Sequence, residues 1–145
     1  MDEQIFAIQR YGGISRLFYE LAKQFTTTPD LGVELLPISA PIVNQYVLDN
    51  PDLTAALQTH PATNSIRALA TYFSHRTDAR GAQIVHNTFY LPHGLTGGKG
   101  AKRIVTIHDM IPELLPKTRR RLDLLTMKRR YVHQADHIIC VSAAT

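Results

Sequence analysis

Val105-Thr106-Ile107-His108-Asp109-Met110-Ile111-Pro112 is the stretch on which the fold reading turns. Ile104, Val105 and Ile107 form a β-branched run that reads, from Arg103 to His108, as a strand buried on both faces. The run stops at a polar pair, and a loop bounded by prolines carries the chain from Asp109 to Pro116. In open parallel sheets, ligands gather beyond the carboxyl ends of the strands. His108 and Asp109 are therefore the candidate catalytic residues. The imidazole is suited to holding a hydroxyl or moving a proton, and the carboxylate either orients that ring or caps the next turn. A purely structural His-Asp pair accounts for the spacing equally well.

Working toward the N-terminus, Gln83 to Asn87 reads as a second strand centred on Ile84 and Val85. His86, Asn87 and Tyr90 sit at its carboxyl end and suit a hydroxyl-rich ligand. A glycine-rich loop from Tyr90 to Ala101 joins the two strands. Further back, Ile14, Leu17, Phe18, Leu21, Ala22 and Phe25 recur at helical spacing. Tyr11-Gly12-Gly13-Ile14-Ser15-Arg16 opens that helix. Free amides at a helix start attract phosphate, and glycines permit close approach, so Gly12, Gly13 and Arg16 are candidate phosphate-binding residues. The spacing is not that of the dinucleotide fingerprint, which needs a third glycine. Ile5 to Ile8 reads as one short strand, and Val33 to Ile38 as a short buried strand. A helical turn is expected near Leu53 to Leu57, and a helix from Ile66 through Leu69, Ala70 and Phe73 to about Arg76.

Toward the C-terminus, Arg119 to Ala135 reads as a helix with Leu124, Leu125, Tyr131, Val132 and Ala135 on one stripe. Lys128 falls inside that stripe, where a lysine is expected to bury its stem and extend its amine to solvent. His137 to Ser142 reads as a final apolar strand, with Cys140 as a small core residue rather than a nucleophile. Helices alternating with β-branched strands indicate an α/β domain with a doubly wound parallel sheet.

The 145 residues suit one domain, 44% of them hydrophobic and 19% charged, which argues against disorder. A single cysteine excludes an internal disulfide framework and agrees with a reducing, cytoplasmic setting. No apolar run reaches the roughly 18 residues that span a bilayer. The net charge of +4 is clustered around Lys99, Lys102 and Arg103, around Lys117, Arg119, Arg120 and Arg121, and around Lys128, Arg129 and Arg130. Such clusters favour anionic partners. The seven histidines are scattered without zinc spacing, so no metal or cofactor is expected.

Five segments taken together resemble the N-terminal half of two-domain, GT-B glycosyltransferases of the large retaining group 1 or family-four type. They are Asp2 to Phe6, Gln9 to Arg16, Ile84 to Asn87, Val105 to Glu113 and Ala135 to Ser142, in the family's order. The resemblance implies a Rossmann-like fold over residues 1–145 with a clipped first strand. It implies that Gly12, Gly13 and Arg16 lie beneath the donor diphosphate, and that His108 approaches the transferred sugar. Asp109, Glu113, His86, Asn87 and Tyr90 would shape the acceptor side. A nucleotide-sugar donor and a glycan or lipid-linked acceptor are the implied partners, with configuration retained and no metal. The family's second domain carries the nucleotide pocket and a motif of two glutamates, and Glu113 is the last glutamate here. The expectation is an acceptor-side piece of a larger or split enzyme, inactive alone, cytoplasmic, with peripheral membrane contact as an option. The other class of reading is a non-catalytic basic α/β module for nucleic acid or an anionic membrane surface. The basic clusters lack interleaved aromatics and no nucleic-acid motif is present, so nucleic acid is not expected.

Overall fold

The computed structural model describes residues 1–145 except 39, 65, 69, 71–80, 93–99, 115–121 and 144, with side chains left undescribed at 112, 122 and 123. The expected helix beyond residue 70, the middle of the glycine-rich loop, Lys99, and the cluster from Lys117 to Arg121 lie outside the described residues.

The three strands read from the second half of the sequence form one parallel sheet. They are β3 (Ile84–Asn87), β4 (Lys102–Ile107) and β5 (His137–Cys140), side by side in that order. Asn87 lies opposite Val105, and Ile107 opposite Cys140. A second parallel pair is much smaller: β1 (Pro41–Ile42) with β2 (His60–Pro61). The described helices include α1 (Gln4–Ile8), α2 (Gly13–Thr27), α3 (Gln45–Leu48), α4 (Pro51–Leu57), α5 (Ile111–Leu114) and α6 (Leu122–Gln134).

Side chains alternate across a strand, which divides the sheet between two helices. His86 lies opposite Ile104, so His86, Thr106 and the following His108 share one face. Phe18 of α2 covers that face, its ring edge-on to His86 at 5.1 Å and to His108 at 5.8 Å. Val105 and Ile107 point the other way and pack with Tyr131, Leu124 and Met127 of α6. Helices on both faces of β4 make the doubly wound arrangement expected from the alternating pattern. The apolar residues form two clusters, one around Phe6, Phe18, Ile42 and Leu53, the other around Tyr90, Val105, Ile107 and Tyr131. Stacked Phe89 and Tyr90 join them at the carboxyl end of β3.

Four local expectations are corrected. Gln4–Ile8 is helical rather than a strand. Thr88 Oγ1 accepts from the Ile5 amide at 3.1 Å, and the Phe6 carbonyl accepts from Val43 and Asn44, so tertiary partners override a β-prone run. Val33 to Leu36 are outside any strand, Val33 and Leu36 are exposed, and only Ile38 is buried. Pro37 lacks the amide that a ladder would use there. Residues 66–68 are helical, yet Ile66 is 78% exposed and Ala68 is the buried residue. Finally, β5 forms as expected but is not buried: among the described residues it is an edge strand, and Ile138, Ile139 and Cys140 are exposed.

Candidate functional site

The N-terminal segment is tied to the carboxyl end of β3 by one carboxylate. The buried Asp2 accepts from Asn87 Nδ2 at 2.6 Å, from the Thr88 amide at 2.9 Å, from Thr88 Oγ1 at 2.6 Å and from Gln4 Nε2. Asn87 is 1% exposed, and its Oδ1 accepts from Arg103 Nη1 at 3.3 Å. Its side chain therefore serves this anchor, not an open cleft.

His108 leaves β4 directly above Thr106. Its ring hydrogen-bonds the backbone of Thr88, while Nε2 is buried with no partner among the described residues. Nδ1 is then the atom that donates to Thr88, and Nε2 carries the lone pair. Burial pushes the imidazole below its ordinary value, with Lys128 adding to the effect and the Thr88 bond and Asp109 opposing it. Burial thus favours the neutral ring, with one nitrogen unpaired among the described residues.

Tyr90 braces the turn from below. It is buried, its hydroxyl donates to the Thr106 carbonyl at 2.7 Å, and it is also bonded to the backbone of His108. Burial drives the phenol upward, so it stays protonated. Its ring centroid lies 6.4 Å from that of His108. His86 is held by Thr106 Oγ1 at 2.8 Å, and burial pushes it down to about 4, helped by the N-terminal ammonium and His108 and opposed by Asp2. Asp109 is exposed, and its Oδ1 accepts from the Ile111 amide at 3.1 Å, so it caps the turn into α5. Glu113 is half-buried and pairs with Lys128 at 2.9 Å, leaving Oε2 without a hydrogen-bond partner among the described residues.

The glycine turn reaches the same seam through α2. Phe18, which touches both histidines, lies five residues past Gly13, or about 7.5 Å along the helix. Gly12 has φ 164°, ordinary extended backbone. Its missing Cβ matters for another reason: a Cβ there would lie 2.3–2.5 Å from the end of the Gln9 side chain. Gln9 Oε1 in turn accepts from the Ser15 amide at 3.0 Å, so a side chain of the same chain caps this helix start. Gly13 faces open space. Arg16 is exposed beside Glu20 at 3.9 Å, too loose and too solvated to hold it in place.

Lys128 departs from the sequence reading, because its amine does not reach solvent. It is 5% exposed and bonded to Glu113 and the Asp109 carbonyl. Lys102 is likewise paired, with Asp136 at 2.7 Å. Neither cluster therefore presents all its charges as a free basic face. Phe18, Gln9, Thr106 and Lys128 are members of the constellation that residue type alone did not mark. Lys128 carried the one available signal, a charge placed inside an apolar stripe. Among the described residues no group of three His, Cys, Asp or Glu is placed to hold a metal ion, and no helix is long and apolar enough to cross a membrane.

Residues 11–145 match the family model described as Glycosyltransferase Family 4. The chain belongs to glycosyltransferase family 4. Its parallel strands, with helices on both faces of β4, fit one Rossmann-like half of the GT-B fold. No curated protein and no solved structure matches. Within this family 4 domain the His-Asp turn and the helix after the glycine turn meet at Phe18, on the carboxyl side of the sheet.

Proposed function

We propose that this chain forms the acceptor-side half of a retaining glycosyltransferase that moves a sugar from a nucleotide donor to a glycan or lipid-linked acceptor. The observation that carries the reading is His108 Nε2, a buried basic nitrogen with no partner among the described residues, at the carboxyl end of β4. A neutral imidazole so placed accepts a hydrogen bond from a sugar hydroxyl without first losing a protein partner. Glu113 Oε2 is a second acceptor without a hydrogen-bond partner among the described residues on the same turn.

His108 holds the transferred sugar, Glu113 and Asp109 face the acceptor, and Tyr90 and His86 keep the turn in place from below. Gly13 and Arg16 stand at the start of α2, where amides and the helix dipole favour a diphosphate. Gln9 must release the Ser15 amide before that amide can serve the donor. The nucleotide pocket comes from a donor-binding domain, in cis or in trans, so residues 1–145 alone turn over little or no substrate. The setting is the cytoplasm, with peripheral contact to the inner face of the membrane where the acceptor is lipid-linked.

The test is a transfer assay with the donor-binding domain supplied, reading nucleoside diphosphate release from a panel of nucleotide sugars. Transfer is expected with at least one donor, reduced by about 100-fold or more in His108→Ala. No transfer with any donor, or full activity in His108→Ala, defeats the proposal.

A further inference from the structure

Lys128 sits on α6 inside the stripe formed by Leu124, Tyr131 and Val132, with its amine enclosed. Its Nζ donates to Glu113 Oε1 at 2.9 Å and to the backbone carbonyl of Asp109, and lies 3.7 Å from the sulfur of Met110. Those contacts use the three donors of an ammonium. Stability alone is a poor reason for such an arrangement. Enclosing an ion pair sacrifices hydration, and apolar residues of similar volume often do as well or better. A methionine at this position would fill the stripe. It could not grip three points of one turn.

We propose that Lys128 is a positioning residue, pinning the Asp109 carbonyl and steering the Glu113 carboxylate so that the buried His108 Nε2 and Glu113 Oε2, unpaired among the described residues, are kept as acceptors for substrate. The substrate part rests on the reading of this turn as the sugar-facing one; the clamp itself does not. The turn hangs between β4 and α5, and a single amine on α6 ties both of its ends to the packed layer beneath. Among the described residues, the charges that act on the imidazole are Asp109 on its own turn and Lys128 from α6, and the imidazole in turn lowers His86 of β3. Of these, Lys128 is a cation that depresses the imidazole from the side opposite Phe18's helix.

The experiment is NMR on the whole chain, following the His108 ring titration and amide exchange at Ile111, Glu113 and Leu114. Those amides bond to Asp109 Oδ1 and the Met110 carbonyl, and so report the turn. In Lys128→Met, His108 should titrate at higher pH than in the parent, and protection of the three amides should drop by about 10-fold or more. Lys128→Arg keeps the charge and should keep His108 near its parent value. The double variant Lys128→Met/Glu113→Gln removes both charges, avoids stranding a carboxylate, and should still lose the protection. That variant decides the matter if Lys128→Met alone does not fold. A lysine that merely stabilises the helix would lower the melting temperature and leave both readouts unmoved, and that result overturns the proposal. Neither readout requires sugar transfer, so a failed transfer assay would remove the functional reading and leave the clamp standing.

Discussion

Gln9 and Gly12 act as one unit, although neither contacts the other through a hydrogen bond. The glutamine lies where a Cβ at position 12 would be, and its Oε1 satisfies the Ser15 amide. A Gly12→Ala substitution must expel the glutamine and lose the cap, which costs about 1 kcal/mol. Gln9→Ala loses the same cap and clears the space. The double variant should thus be about as stable as Gln9→Ala alone, a clear departure from additivity in a denaturation cycle. Additive losses would mean that the glycine serves some other demand. Glycine before a helix was legible as a backbone device from the sequence, but its partner was not, because Gln9 is recruited only when the chain folds back over the helix start.

Among the elements, β5 shows how a correct strand assignment leaves burial undecided. Its apolar composition suits a strand between two layers. Among the described residues it is an edge strand of the sheet, and Ile138 and Ile139 remain 48% and 45% exposed. Cys140 shares that exposure, so a maleimide should label it in the native protein almost as fast as in denatured chain. Strong native protection would show that this face is covered. α1 teaches the opposite lesson. Five residues are far below the length at which a helix holds itself together, and it persists because Thr88, Val43 and Asn44 satisfy its backbone. α2 needed no such help to be recognised: an apolar stripe from Ile14 to Phe25 runs along its fifteen residues, and Phe18 and Ala22 are buried as that stripe requires.

Across the molecule, the candidate site lies where the two apolar clusters meet, so acid should act on the fold through the same histidines. In the unfolded chain His86 takes up a proton near pH 6.5, whereas in the folded chain burial delays this to about 4. Between those values the unfolded state binds more protons, so stability falls as the pH drops. Above the unfolded value the contribution is fully present. His108 is displaced in the same direction. The His86 shift corresponds to about 3 kcal/mol at most, on the order of 1.4 kcal/mol per unit. Urea denaturation near pH 7 and at about pH 4.5 should show this loss, and His86→Gln should show a smaller one. Equal losses in the two proteins would exclude His86 as the acid-sensitive group.

Taken alone, the amino-acid sequence determined α2, β3, β4, α6 and β5, along with the polar groups at the strand ends. Hydrophobic period is a local property, and a five-segment pattern survives without knowledge of contacts. Tertiary structure decided which of those polar groups are available. Asn87 is committed to Asp2 and Arg103, Asp109 to its own turn, and Lys128 to the loop below which it is enclosed, while His108 keeps one nitrogen unpaired among the described residues. The physical reason is that hydrogen-bond satisfaction and desolvation depend on which surfaces meet, and residues as distant in the chain as Asp2 and Thr88 meet only in the folded state.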